Sequence, residues 1–246
     1  MKGYIDHLSI TNRAKSSCEI REDATLVSCF PFDTTNTDAY SDYGPNSLLK
    51  SYMSTTIISS HHSSDAISFN GTATSYFQAL SFTGLGMSTQ PFSILLWIRP
   101  RSLLTSTVVH VSKTISGTGW CYPFIGFALN GSVIVQVYHV PQTTLYGPLL
   151  PMSPTWTHLV ETWSPINGLR LYINGTLVAS NSLYTSYVAS AASNVVTLGN
   201  SLSGYNACVG MNSIGKASGP FDGDIGDFRV YTRQLTAFEI TTIYNM

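Results

Sequence analysis

Apolar and polar residues alternate in short runs along most of the chain, and Gly, Pro, Asn and Ser separate the runs. The stretch FSILLWIRP puts Phe92, Ile94, Leu96 and Ile98 on one face and Ser93, Leu95, Trp97 and Arg99 on the other. Period-two alternation of this length predicts a strand, and apolar residues on both faces predict one placed centrally in a stack. AISFNGTATSYFQAL, GFALNGSVIVQVYHV and GLRLYINGTLVAS each hold two alternating runs, joined at Asn70-Gly71, Asn130-Gly131 and Asn174-Gly175. Asn-Gly tolerates the positive φ of a tight turn, so all three are predicted as hairpins. The one complete helix predicted is short and starts near Thr236, where Thr236-Ala237-Phe238-Glu239 has the capping-box form. Closely spaced strands with one C-terminal helical turn predict an all-β fold, a two-sheet antiparallel jelly-roll sandwich.

The chain also repeats itself. GYIDHLSITNRAKSSCEI (residues 3–20) aligns without a gap on GDIGDFRVYTRQLTAFEI (residues 223–240), at an offset of about 220 residues. Gly3, Ile5, Arg13, Glu19 and Ile20 meet Gly223, Ile225, Arg233, Glu239 and Ile240. Each copy reads as a strand, a polar turn and a capped helix start, Ser16 to Glu19 in the first and Thr236 to Glu239 in the second. Residues 1–20 are therefore expected to be the terminal strand and helix of a preceding repeat, or a donated strand. Residues 21–24 are expected as a junction, and residues 25–246 as one complete domain. On that basis Met1 is not the natural start, and any secretory signal lies upstream in a longer parent.

Composition narrows the functions. Charged residues are 10% of the chain, against about 25% usually, and the net charge is −1 with no run of like charges. Nucleic acid as a partner is thereby disfavoured, because neutralising phosphates needs a basic stripe. No apolar run approaches the length of a membrane span, roughly 20 residues. The four cysteines are Cys18, Cys29, Cys121 and Cys208. Cys18 and Cys29 lie close and bracket the junction, so they are expected to pair, leaving Cys121 with Cys208. Four buried free thiols are the alternative, and no spacing has the C-x2-C form of a zinc site.

The order LVSCFPFD, AISFNGT, PFSILLWIRP, WTHLVETWSPINGLRLYINGTLVAS, NVVTLGN and FDGDIGDFRVYTRQLTAFEI resembles the laminin-G-like, concanavalin A-like jelly-roll family across residues 25–246. The resemblance implies two stacked antiparallel sheets in an extracellular or cell-surface protein. It leaves function open, because this fold carries lectins, adhesion modules, spacers and glycosidases.

Glycosidases flank the scissile bond with two carboxylates. Glu161 stands alone in HLVETW and is expected to be an outward-facing strand residue, so the chain is read as non-catalytic. His158 is expected on a sheet face or in the core, and His61-His62 in an exposed loop. Clustered oxygen ligands suit calcium, and the loop FDTTNTDAYSDYG supplies Asp33, Asn36, Asp38 and Asp42. The resemblance adds Asp227 of the closing strand, where the first Asp of the family's pair is replaced by Gly226. Asp33, Asp38 and Asp227 are thus the candidate calcium ligands, with an ion-free Asx turn as the alternative. Trp120, Tyr122, Tyr184, Tyr187 and Tyr205 are candidates for stacking on sugar rings, or else core aromatics. The sequons at Asn70, Asn130 and Asn174 are candidate glycosylation sites.

Two functions fit these features. One is a structural or adhesive repeat of a multi-domain extracellular protein, fibre-forming or not, glycosylated and disulfide-stabilised, whose partners are neighbouring copies of the domain. The other is a lectin-like module with a glycan ligand, with or without calcium.

Overall fold

The computed structural model describes residues 13–35, 37–59, 65–139, 143–206, 208 and 219–246, without the side chains of residues 17–19, 143, 205 and 206. In chain order the elements are α1 (Ser17–Thr25), β1 (Leu26–Phe30), β2 (Lys50–Met53), β3 (Thr55–Ile58), β4 (Ala66–Asn70), β5 (Tyr76–Phe82), β6 (Phe92–Pro100), β7 (Ser106–Ser112) and β8 (Cys121–Phe127). There follow β9 (Ser132–Val137), β10 (Thr143–Leu149), β11 (Thr157–Ser164), β12 (Gly168–Ile173), β13 (Thr176–Asn181), β14 (Asn194–Leu198), β15 (Gly219–Pro220), β16 (Asp222–Tyr231) and α2 (Ala237–Tyr244).

These strands form two sheets. The first runs β13-β12-β11-β6-β16-β4-β3, with β1 also on β16, and the second runs β10-β9-β8-β7-β14-β5-β2, with β15 on β7. All pairs are antiparallel except β15 with β7. The two sheets stack as an all-β sandwich, the concanavalin A-like jelly roll.

Strand β16 organises one flank. Its Asp222–Ile225 half pairs with β4 and its Phe228–Tyr231 half with β1. Register slips between Gly226 and Arg229, and Asp227 at φ 46° takes the left-handed conformation that a bulge needs. The slip keeps both Ile225 and Phe228 in the core.

Alternation decides what is buried. Phe92, Ile94, Leu96 and Ile98 join Phe30, Ile67, Phe69, Leu159, Trp163 and Leu171 in packing against Phe77, Val109, Val111, Tyr122, Phe124 and Val135 of the second sheet. Leu95, on the other face of β6, packs with Val160, Tyr172, Tyr231, Leu235 and Ile240 under α2. Strand β6 is covered on both sides, as its two apolar faces predict.

The Asn-Gly turns divide. Asn174-Gly175 is a two-residue hairpin turn with φ 48° and 75°. Asn130-Gly131 closes the β8–β9 hairpin, where Gly131 N donates to Ala128 O at 2.9 Å and has φ 81°. Asn70-Gly71 is no hairpin, because β4 belongs to the first sheet and β5 to the second. The same turn chemistry here carries the chain across the sandwich, since β4 finds its partners in β3 and β16.

Helix α2 has the predicted cap: Thr236 and Glu239 satisfy each other's backbone amides. Helix α1 extends through residues 21–24, the expected junction, and runs directly into β1. The expected strand at residues 3–10 lies outside the described residues.

Cys121 and Cys208, 87 residues apart, are bonded. Cys29 is a free thiol, which corrects the expected Cys18–Cys29 bridge; the side chain of Cys18 lies outside the described residues. Strand β1 sets Cys29 opposite Arg229 in register, while the nine-residue α1 carries residue 18 in its first turn. Burial pushes the Cys29 thiol up to about 12, so it is an inert thiol rather than a nucleophile.

Candidate binding cleft

A cleft of about 750 Å³ opens between α1 and the loop of residues 43–46, beside the start of β1. Lys15, Ile20 and Asp23 form one wall, Tyr43, Pro45 and Asn46 the other, and Leu26 and Thr232 lie between them.

The loop wall is rigid for a local reason. Asp42 Oδ1 accepts from Cys29 N and Gly44 N at 2.8 Å each, and its Oδ2 accepts from Leu48 N at 2.9 Å. Tyr43 N donates to Cys29 O at 2.7 Å, and Asn46 Nδ2 to Val27 O at 2.8 Å. A Cβ on Gly44 would lie 2.8 Å from Ser28 Cα, so only glycine lets the loop lie against β1. The opposite wall is fastened through Arg233, whose guanidinium donates to Thr25 Oγ1 at 2.7 Å, Glu22 Oε2 at 3.2 Å and Glu239 Oε2 at 2.8 Å.

The cleft therefore offers a half-exposed Tyr43 ring, apolar Ile20 and Leu26, and the polar tips of Asn46, Lys15 and Asp23. Lys15 pairs with Asp23, so the charges of the described wall residues cancel. Such a surface suits a neutral polyhydroxylated ligand: a ring face for C–H groups, and polar atoms for hydroxyls. Sequence reasoning did not single out these residues. The signal present was the D-Y-G-P run at residues 42–45, whose Asx chemistry marks an ordered loop.

The carboxylates named from the sequence go elsewhere. Asp33 Oδ1 accepts from Thr35 N at 2.8 Å. Asp38 accepts from Tyr40 N at 3.0 Å and pairs with Lys50 at 2.5 Å, and the Lys50 hydrogen bond foremost holds its carboxyl below the ordinary value. Asp227 is bidentate with Arg229, at 2.7 and 2.9 Å. Among the described residues these three do not come within ligating distance of one another; Asn36 lies outside them.

Glu161 corrects the expectation of an outward residue. Opposite Ile94 and Leu171 in register, it points between the sheets and is fully buried. Neither carboxyl oxygen has a hydrogen-bond partner. Burial pushes its pKa well above 4.5, because a lone carboxylate in an apolar core is too costly to ionise. Every other described carboxylate accepts from an arginine, a lysine or a hydroxyl or amide donor. A glycosidic acid–base pair needs one protonated and one ionised carboxyl facing the same open site; the carboxyl with the raised pKa is here sealed inside the sandwich.

The candidate sugar-stacking aromatics are mostly core. Tyr122 and Tyr187 are buried, and Tyr184 and Trp120 pack partly buried against the same cluster. Trp120 Nε1 donates to Val188 O at 3.0 Å and Tyr187 Oη to Leu85 O at 2.7 Å. The Tyr205 side chain and His61-His62 lie outside the described residues. His158 is buried between the rings of Trp97 and Tyr244, 5.1 and 5.9 Å away. Asn70, Asn130 and Asn174 are all exposed, and each turns its Oδ1 to a backbone amide.

A comparison with curated proteins finds no match. Among solved structures, the chain is similar to the binding domain of botulinum neurotoxin serotype G, with 16% identity and TM-score 0.63 over 89% of this chain and 50% of that one. It is similar to domain 4 of AbnA, a GH43 extracellular arabinanase from Geobacillus stearothermophilus in complex with arabinotriose, with 22% identity and TM-score 0.59 over 89% of this chain and 98% of that one. A third is a structure of botulinum neurotoxin type C, whose cell entry is described as dependent on two ganglioside molecules, with 14% identity and TM-score 0.61 over 92% and 52%. The chain spans about half the length of the toxin structures. At these identities the shared property is the fold. The Laminin_G_3 family model matches residues 70–241, well over half of the sequence, and the chain accordingly belongs to the concanavalin A-like lectin/glucanases superfamily.

Proposed function

We propose that this chain is a non-catalytic glycan-binding module of a larger extracellular protein, and that the Tyr43 cleft takes the glycan. The observation that carries the proposal is a cleft whose described charges, Lys15 and Asp23, pair with each other, with a half-exposed aromatic ring on a wall locked by Asp42. Engagement of every described carboxylate except Glu161, which is fully buried between the sheets, supports a non-catalytic role. The Cys121–Cys208 bond supports an oxidising compartment, in which the exposed Asn70, Asn130 and Asn174 would carry glycans. The arabinotriose complex and the ganglioside-dependent toxin support a sugar as the ligand class. The described carboxylate of the cleft, Asp23, is paired with Lys15, so EDTA is expected to leave binding unchanged.

The test is a glycan array followed by calorimetry of any hit, with the native chain and with Tyr43→Ala. The expected result is a neutral oligosaccharide whose affinity falls at least tenfold in the variant. An array without a hit, or a hit that Tyr43→Ala binds equally well, overturns the assignment.

The internal match of residues 3–20 with residues 223–240 favours a second reading, a repeat module in a tandem adhesive protein. It predicts a native polypeptide several times larger than 26.7 kDa on a reducing gel after deglycosylation.

A further inference from the structure

A buried histidine sits against the disulfide. His110 lies on β7, Cys121 opens β8, and Cys208 follows the turn at Leu202–Asn206. The Nε2 of His110 and the two sulfurs all lie within 4.8 Å of one another, and all three residues are buried. Nε2 is 3.8 Å from Cys208 Sγ, and the Gly117 carbonyl oxygen is 2.9 Å from Nε2 and 3.7 Å from that sulfur. One nitrogen, two sulfurs and one carbonyl oxygen are thus gathered in one buried cluster. Gly204 leaves the space beside it: a Cβ there would lie 2.8 Å from both Cys208 Sγ and His110 Nε2, and 2.3 Å from Gly117 O. Zinc bonds of about 2.0–2.3 Å give a tetrahedron with edges of roughly 3.3–3.8 Å. The Cys208 sulfur already lies 3.8 Å from Nε2 and 3.7 Å from the Gly117 oxygen. Nε2 and that oxygen, 2.9 Å apart in their hydrogen bond, would have to separate slightly to admit the metal.

We infer that reduction of Cys121–Cys208 converts this cluster into a zinc site, with His110 Nε2, both thiolates and the Gly117 carbonyl as ligands. A dithiol or phosphine reductant supplies two electrons, two protons enter, and the S–S bond becomes two thiols while the reductant is oxidised. Zinc then displaces both thiol protons to solvent. The imidazole proton, which Nε2 now donates to Gly117 O, moves to Nδ1, an atom with no partner in the oxidised form. The two thiolates cancel the metal's charge, so the buried cluster is neutral. The link between β8 and the segment carrying Cys208 is thereby kept in both redox states, covalently in one and through the metal in the other.

The test titrates Co²⁺ into the full chain reduced with tris(2-carboxyethyl)phosphine, in a Cys18→Ser, Cys29→Ser background that removes the other thiols. The expected result is one cobalt per chain, a thiolate-to-cobalt charge-transfer band, two protons released per metal, and displacement by Zn²⁺. His110→Ala is expected to weaken binding at least tenfold, and Cys121→Ser to abolish the band. The oxidised chain is expected to show none. Circular dichroism of each variant in its oxidised or metal-free form checks its fold, and His110→Gln gives a second removal of the ligand with a polar side chain retained. No cobalt band in the reduced chain, whether folded or unfolded, overturns the inference. So does a band that the folded His110→Gln and Cys121→Ser variants keep.

Discussion

Helices α1 and α2 start from matching sequence and end in opposite environments. In each, the isoleucine four residues after the first hydroxyl residue of the cap donates its amide back to that residue, Ile20 to Ser16 O and Ile240 to Thr236 O, both at 3.0 Å. Yet Ile240 is fully buried and Ile20 is 56% exposed. The difference lies in what each helix meets. Helix α2 lies on the outer face of the first sheet, where Leu95, Val160, Tyr172 and Tyr231 receive Ile240. Among the described residues, the hydrogen bonds of helix α1 to the same region come from Glu22 and Thr25, to Arg233 and the β16 end. A motif specifies the helix start locally; an apolar sheet face decides whether the helix becomes core.

Ile240→Ala should produce the largest loss, about 2–5 kcal/mol, because a fully buried side chain leaves a cavity under α2. Urea denaturation measures it, and a loss near zero would mean that α2 does not hold the sheet face.

Arg233→Ala removes the contact that both helices share. Its own side chain is mostly buried while Glu22 and Glu239 are partly exposed, so about 2 kcal/mol is expected, between the surface and buried limits. Protease nicking within residues 17–25 should accelerate in the same variant. Unchanged nicking would show that α1 is held by other contacts.

Thr236→Ala removes the cap and should lower stability by about 1 kcal/mol. The cap also has a pH signature. Burial alone would raise the Glu239 pKa, but the Thr236 amide and the Arg233 guanidinium outweigh it and hold the pKa below 4.5. A carboxyl with a lowered folded-state pKa contributes stability that is complete above 4.5 and disappears as pH falls through the lowered value. The stability gap between the native chain and Glu239→Gln should therefore be flat at neutral pH and close on acidification. A gap that widens toward acid would contradict the assigned cap.

Ile20→Ala should change the stability of this chain by less than about 0.5 kcal/mol, the range for exposed positions. In a longer polypeptide carrying a preceding repeat, the same change should act as Ile240→Ala does here. Equal and small effects in both contexts would remove the reason to see residues 1–20 as the end of a neighbour.

Parity made much of the core legible. The alternation in FSILLWIRP sorted Phe92, Ile94, Leu96 and Ile98 from Leu95 and Trp97 correctly, because side-chain direction in a strand is a local property. Glu161 shows parity prevailing over residue type: it shares its face with Leu159 and Trp163, and the expectation that a carboxylate faces water misplaced it. Asn70-Gly71 failed differently. Turn chemistry fixes a reversal of direction but not the sheet in which the next strand finds its partner. The cleft was least legible, since its walls come from α1 and from a loop folded back by Asp42 onto β1.

The sequence alone determined the strand periods, the tight turns, the α2 cap and the sandwich class, all of which depend on residues close in the chain. Tertiary structure decided which cysteines bond, where Glu161 points, and that His110 meets two sulfurs whose residues are 87 positions apart. Such meetings depend on strand order and sheet stacking. Those are set by the summed burial of the whole core, and no short window of residues carries that sum.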